Sequence, residues 1–255
     1  MHKFFTEPYN INEIEGKILG DDVKHIYKVL RLSEGEKVVL NNCEGMEYLG
    51  EIQSITKNEV IVKIVKELDI NNESGIKVHL FQGLPKGQKM DLIVQKGTEL
   101  GVAGFIPVTT ARVDVKLKGE FKKIDRLNRI ALEACKQSKR SIVPQVKEVI
   151  DFNAAINELK KMDLIIVPYE NAEDFGIKTL VRKLERDNID LNTIKSVGIL
   201  IGPEGGFEET EIKTLKDQGA YIVTLGNRIL RTETAGFTAT ALIQYELGDL
   251  GGMLL

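Results

Sequence analysis

The sequence predicts an α/β protein in which a small N-terminal β-barrel precedes a larger domain built on a mostly parallel sheet. Three observations carry this. Short strand-like runs separated by tight turns crowd the first 70 or so residues. A polar, turn-rich stretch, Asp69-Ile70-Asn71-Asn72-Glu73-Ser74-Gly75, then breaks the pattern. Beyond it, near-continuous apolar runs alternate with helical patterns. The boundary falls within that polar stretch, giving domains 1–72 and 73–255.

Taken in order, Glu36–Leu40, Glu47–Ile52 and Glu59–Val65 read as strands, the last alternating cleanly toward its end. Asn41-Asn42-Cys43-Glu44-Gly45 and Lys57-Asn58 supply hairpin turns. One short helix precedes them, with Asp21 as its cap and Val23, Ile26, Tyr27 and Leu30 on one face. In the second domain, Val78–Phe81 is a strand, followed by a helix through Met90–Val94. Phe105–Val108 leads to a long helix over about Phe121–Ser138. Leu164–Val167, a helix near Ile177–Leu184, Val197–Ile201, a helix over Glu208–Asp217, Tyr221–Leu225 and a last helix over about Thr232–Glu246 complete the alternation.

Composition narrows the function classes. Of 255 residues, 42% are hydrophobic, enough for a core, and no apolar run approaches the roughly 20 residues of a membrane span. The N-terminus lacks the apolar stretch of a signal peptide, so a soluble, cytoplasmic protein is expected. Cys43, Cys135 and the three histidines are scattered, which predicts plain thiols and no metal site. The net charge is −3, yet Arg112–Arg140 holds ten basic and four acidic residues, a local +6. On the long helix Lys122, Arg126, Arg129, Lys136 and Arg140 recur at helical steps. Ile124, Leu127, Ala131, Ala134 and Ser138 make a packing face. Such a stripe is either a phosphate-binding surface or a solvated helix face.

Ligands of parallel sheets bind beyond the carboxyl ends of strands. Two such ends are unusual here. Ile201-Gly202-Pro203-Glu204-Gly205-Gly206 follows a buried strand, but it has no P-loop lysine and no GxGxxG spacing. Glu204, Glu208, Glu209 and Glu211 line the following helix start and would repel a polyphosphate. The loop suits a neutral or cationic ligand held by backbone groups, or is a tight turn before a capped helix. The second end, Leu225-Gly226-Asn227-Arg228-Ile229-Leu230-Arg231-Thr232, sets an apolar pair between arginines, with Thr232 as a helix cap. Ile229 and Leu230 either cover a flat ligand or anchor the loop.

Together with Glu233-Thr234-Ala235, these two loops resemble the signature loops of the RsmE family, SPOUT-class enzymes that methylate N3 of a uridine in 16S ribosomal RNA. Gln95-Lys96-Gly97-Thr98-Glu99-Leu100-Gly101-Val102 is similar to that family's QKATELGV element, with Gly97 where alanine is usual. Glu133–Arg140 resembles its EAxxQSxR helix end, Lys3-Phe4-Phe5 its opening RFF, and Val29-Leu30-Arg31 its VLR. The resemblance implies a PUA-like barrel for RNA and a SPOUT domain with a trefoil knot. It also implies a homodimer, S-adenosylmethionine as donor, and 16S rRNA or the small ribosomal subunit as partner.

The donor would then be held by Ile201, Gly202, Pro203, Glu204, Gly205, Gly206, Leu225, Gly226, Ile229, Leu230, Arg231 and Thr232. Arg231, Glu233 and Glu99 are candidates for charge stabilisation and proton acceptance. Lys3, Arg31, Arg112, Lys122, Arg126, Arg129, Lys136 and Arg140 are candidate RNA contacts. Other SPOUT methylations (ribose 2′-O or pseudouridine), a non-catalytic ribosome-assembly factor and a dinucleotide oxidoreductase are the rival readings.

Overall fold

The computed structural model describes residues 1–70, 72–115, 121 and 123–252. Two compact units form: Met1–Glu73 with Cys135–Val143, and Ser74–Ala134 with Pro144–Leu255.

The first unit contains β1 (Lys3–Phe5), β2 (Glu15–Leu19), a one-turn α1 (Asp21–Lys24), β3 (Lys37–Asn41), β4 (Glu47–Ile55) and β5 (Glu59–Leu68). α1 continues as a π-helical stretch, His25–Leu30, which Arg31 ends in the left-handed region at φ 54°. Gly20 rather than Asp21 caps this helix; Asp21 sits in its first turn. The sheet runs β1-β3-β4-β5-β2, with β1 parallel to β3 and the other pairs antiparallel. Thr6 Oγ1 donates to the Lys17 carbonyl at 2.7 Å, so one side chain rather than a ladder ties β1 to β2. The curl encloses Phe4, Ile18, Val38, Leu40, Ile52, Val60 and Val62, sealed by Val23 and Ile26 of the helix. Neither β1 nor β2 is among the strands expected from the sequence; each is short and interrupted by turns.

Cys135–Val143 joins this unit through buried charge. The Glu73 carboxylate accepts from Arg140 Nε (3.0 Å) and Nη2 (2.6 Å) and from the amides of Ser141 (2.8 Å) and Ile142 (3.0 Å). Glu47, itself buried, pairs with Lys3 and accepts from Ser141 Oγ at 2.6 Å. Lys136 pairs with Asp22 at 3.3 Å. Lys3, Lys136 and Arg140, expected as RNA contacts, are thus each paired with a carboxylate of their own unit, and Arg140 is buried.

The two thiols are ordinary, as expected: Cys43 is half-buried and Cys135 buried. Burial, followed by nearby glutamates, pushes Cys43 up to about 11. Burial lifts Cys135 to about 12. Since the thiolate is the nucleophile, Cys43 should react with iodoacetamide at pH 8 about a hundredfold, and Cys135 about a thousandfold, more slowly than free cysteine. Rapid labelling of the native protein would contradict this burial.

The second unit follows the predicted alternation: β6 (Lys77–Gly83), α2 (Lys89–Glu99), β7 (Val102–Thr109), α3 (Ile124–Ser138), β8 (Gln145–Val146), β9 (Ile150–Asp151), α4 (Phe152–Leu159), β10 (Leu164–Pro168), α5 (Ile177–Arg186), β11 (Ser196–Ile201), α6 (Glu209–Asp217), β12 (Tyr221–Val223) and α7 (Thr232–Glu246). The order is β12-β10-β11-β6-β7-β8, β9 also pairs with β7, and every pairing is parallel. Strand alternation splits the core. Phe81, Val108, Val167 and Leu200 meet Ala155 and Leu159 of α4 and Ile212 and Leu215 of α6. Leu80 points the other way, where a Cβ on Gly236 of α7 would lie 3.6 Å from it.

On α3, Leu127 and Ala131 are fully buried, as the packing face requires. α4 was legible but unread: Asp151 accepts from the Ala154 amide, and Ala155, Ile156 and Leu159 are buried at helical spacing. Gly97, where the family motif favours alanine, is explained by Phe105. A Cβ there would stand 2.6 Å from that buried ring. Among the described residues, no helix is long and apolar enough to cross a membrane, and no cluster of ligands for a metal occurs.

Candidate functional site

β12, β10 and β11 lie side by side, so the loops leaving their carboxyl ends converge. They enclose a cavity of about 690 Å³ lined by stretches of 168–174, 201–207 and 224–232, together with Ala235 and Lys89. That is within the roughly 300–1,000 Å³ of small-molecule sites.

The glycine loop is shaped from both sides. Gly206 has φ +67°, and a Cβ there would meet Glu170 Oε1 at 2.6 Å, so the backbone turns where only glycine fits without strain. Phe207 is buried and pins the far end. Thr232 does not act through its side chain as a helix cap; Arg231 occupies that position and Thr232 opens α7. Its hydroxyl donates to the Gly202 carbonyl at 2.6 Å and accepts from Gln82 Nε2 at 2.8 Å. A strand side chain, a helix start and the glycine loop are thus joined by one hydrogen-bonded chain.

Of the residues expected to hold a ligand, Ile201, Gly202, Pro203, Glu204, Gly206, Leu225, Gly226, Ile229, Leu230, Arg231 and Thr232 line this cavity. Gly205 does not; its carbonyl accepts from Arg112 Nη1 at 3.1 Å. Ile229 is at the rim and 88% exposed, so in this structure it covers nothing. Arg231 is exposed at the same rim, while Glu233 is only 8% exposed. Glu99 is elsewhere: it pairs with Lys96 at 2.9 Å at the end of α2, ten residues and about 15 Å of helix from Lys89.

The acidic character of the site has an unexpected source. Glu211 turns inward, accepting from the amides of Ala111 and Glu208, both at 2.9 Å. Glu204 remains on the cavity and is joined by Glu170, Glu173 and Asp174 from the loop after β10. That loop was missed, although an apolar strand followed directly by acidic residues marks it in the sequence. Lys89 was missed too, since one lysine at a helix start has no local signature. Its Nζ lies 2.9 Å from Glu204 Oε1 and 3.4 Å from Glu233 Oε2.

The hydrogen bond to Glu204 raises Lys89 above the ordinary lysine range, with burial opposing and the charges of Glu204 and Glu233 adding to the rise. For Glu204, burial acts upward. Hydrogen bonds from Lys89 and from the amides of Glu204 and Lys86 outweigh it and hold the carboxyl below its usual range. A carboxyl lower in the folded than the unfolded chain stabilises above its unfolded value, about 4.3, and loses that contribution as the pH falls through the folded value. The unfolding temperatures of wild type and Glu204→Gln should therefore differ at pH 7 and converge as the pH is lowered beneath about 4. A gap independent of pH would contradict the pairing.

The candidate RNA residues separate by exposure. Arg31, Arg112, Arg126 and Arg129 are exposed, Arg126 beside Asp91. Lys122 lies outside the described residues.

A family model described as an RNA methyltransferase domain matches residues 72–244, and one described as an RNA methyltransferase PUA domain matches 18–65. The chain is 38% identical over 241 residues to the ribosomal RNA small subunit methyltransferase E of Bacillus subtilis, covering 92% of this chain and 91% of that protein. It is 32% identical over 239 residues to the protein of that name from Aquifex aeolicus, covering 92% and 95%. The crystal structure of the Neisseria gonorrhoeae protein of that name, bound to S-adenosyl methionine, superposes with a TM-score of 0.80. It is 30% identical, covering 98% of this chain and 99% of that one.

Proposed function

Because the chain belongs to the ribosomal RNA small subunit methyltransferase E family, we propose that it transfers a methyl group from S-adenosylmethionine to N3 of a uridine in 16S rRNA. The observation that carries this is the cavity itself. Three loops meet at the ends of three parallel strands, and Glu170, Glu173, Asp174 and Glu204 line the cavity. S-adenosylmethionine bears a sulfonium cation and no phosphate, so these carboxylates suit it. The same carboxylates oppose a dinucleotide's pyrophosphate.

The backbone of Gly202–Gly206 and Leu225–Leu230 would hold the donor, which supplies an electrophilic methyl group when bound. Arg231, at the rim, stabilises negative charge developing on the uracil carbonyl oxygens. Glu233, buried at the start of α7, takes the N3 proton. The seat of Thr232 on the Gly202 carbonyl is what a chain threaded through the loop after β11 would make, and the trefoil knot belongs to this proposal.

The first unit, Met1–Glu73 with Cys135–Val143, serves as the RNA-binding domain in place of the expected 1–72, and the second unit as the transfer domain in place of 73–255. Arg31, Arg112, Arg126 and Arg129 meet phosphates, so RNA affinity falls with salt. The protein acts in the cytoplasm as a homodimer. Packed against each other, α2 and α7 expose Leu92, Leu242 and Tyr245, a face suited to a second copy.

The test is incubation of purified protein with labelled S-adenosylmethionine and 16S rRNA or small subunits from a strain lacking the enzyme, followed by mass spectrometry of nuclease fragments. One new N3-methyluridine is expected. Donor binding without any transfer would leave an assembly factor, and a methyl group on ribose or pseudouridine would move the chain to a different activity of its class.

A further inference from the structure

We infer that Gln82 is a positioning residue for the donor site: from inside the sheet it orders the hydroxyl of Thr232, which in turn fixes the Gly202 carbonyl of the glycine loop. The inference rests on the methyl-transfer reading above. Gln82 belongs to neither signature loop and does not line the cavity.

A glutamine is out of place in this strand. β6 buries Val78, Leu80 and Phe81, and Gln82 beside them is fully buried. Its Oε1 has no hydrogen-bond partner among the described residues. A buried acceptor left unpaired costs stability, and an apolar side chain of similar shape would avoid that cost. Core packing therefore does not account for Gln82, whereas the bonds of its nitrogen do.

The protons can be placed. A backbone carbonyl only accepts. The side-chain atom 3.0 Å from the Gly83 carbonyl is thus the amide nitrogen, since turning the amide round would set two oxygens face to face. The other hydrogen of that nitrogen goes to Thr232 Oγ1 at 2.8 Å. Thr232 accepts there, so its own hydrogen is directed to the Gly202 carbonyl at 2.6 Å. Residue 203 is proline, so the Gly202–Pro203 peptide has no N–H and this carbonyl is its one hydrogen-bonding group. A peptide held by a single bond is free to turn when that bond is lost, and Gly202 and Pro203 both line the cavity.

Strand pairing sets the register. Gln82 stands opposite Ile201, the residue before the loop. It shares a face with Leu80: a Cβ on Gly236 of α7 would lie 3.6 Å from both side chains. That face meets α7, whose first residue is Thr232.

The experiment compares Gln82→Met, Thr232→Val and the double variant with wild type. Calorimetry with S-adenosylhomocysteine should show each single substitution weakening binding about tenfold. The double variant should bind no more than about threefold more weakly than the poorer single one, because both substitutions break the same chain of bonds. In protein free of donor, hydrogen exchange at the Gly206 amide, which closes the loop on the Pro203 carbonyl at 2.9 Å, should quicken about tenfold in Gln82→Met. The Leu180 amide of α5, bonded to Gly176, should keep its wild-type rate, which a general loss of stability would not allow. Equal acceleration of both amides, an unmoved Gly206 amide, affinity within about twofold of wild type, or single effects that multiply in the double variant overturns the inference. Should Gln82→Met fold poorly, NMR of the wild-type protein decides. Its Gln82 side-chain amide protons should exchange at least about a hundredfold more slowly than those of exposed glutamines, and exchange at the exposed rate overturns the inference. If wild type binds no S-adenosylhomocysteine, the functional reading fails, while exchange at Gly206 still decides whether Gln82 holds the loop.

Discussion

Replacing Gly83 with alanine is expected to weaken S-adenosylmethionine binding at least tenfold and to destabilise the second unit by about 1–3 kcal/mol. Gly83 ends β6 directly beneath the glycine loop. A Cβ there would stand 2.6 Å from Pro203 N, 2.7 Å from Pro203 Cδ and 2.9 Å from the Gly202 carbonyl carbon. Two of these atoms are backbone, so no side chain can swing aside to make room. The loop itself must move, and with it the Gly202 carbonyl on which Thr232 is seated. Gly75→Ala is the control, because a Cβ there meets nothing within 4 Å. Calorimetry of donor binding and denaturant unfolding of both variants checks this. Wild-type affinity in Gly83→Ala would show that the loop yields and that its position does not set binding.

Arg140→Met is expected to cost about 3–5 kcal/mol of stability, because it removes the cation from a carboxylate that stays buried. Glu73 is 14% exposed in its side chain and Arg140 is 7% exposed. Glu73 also receives the Ser141 and Ile142 amides, so the loss extends to the anchoring of Cys135–Val143. The salt dependence of RNA binding, measured on the folded fraction, should be unchanged. Arg129→Ala should do the opposite: stability within about half a kcal/mol of wild type, and a shallower salt dependence. An Arg140→Met protein with wild-type unfolding and weakened RNA binding would return Arg140 to the RNA surface.

The two charge outcomes illustrate what a periodic pattern conveys. Arg126, Arg129, Lys136 and Arg140 share a stripe on or beside one helix, yet Arg129 is exposed and Arg140 is buried. Spacing along α3 tells which residues share a face. It does not tell which carboxylate waits opposite, because Glu73 is 67 positions away from Arg140 in the chain. The site divides in the same way. Both loops that line the cavity were legible, since glycine, buried strand and helix start are neighbours in sequence. Lys89 was not, for it meets Glu204 across 115 positions. Glu99 suffers the reverse: its motif is conspicuous, but helical rise carries it away from the cavity.

What the sequence alone determined is therefore what local chemistry writes: the strand–helix alternation, the mostly parallel character of the second sheet, the family, and the two loops at the strand ends. The tertiary structure decided which charges are buried in pairs, which carboxylates face the cavity, that Thr232 bonds the glycine loop instead of capping its helix, and that Cys135–Val143 folds with the first unit. The physical reason is range. Periodicity and turn preference act over a few residues, whereas the pairing of a charge depends on whatever the folded chain brings within 4 Å of it, at any separation in sequence.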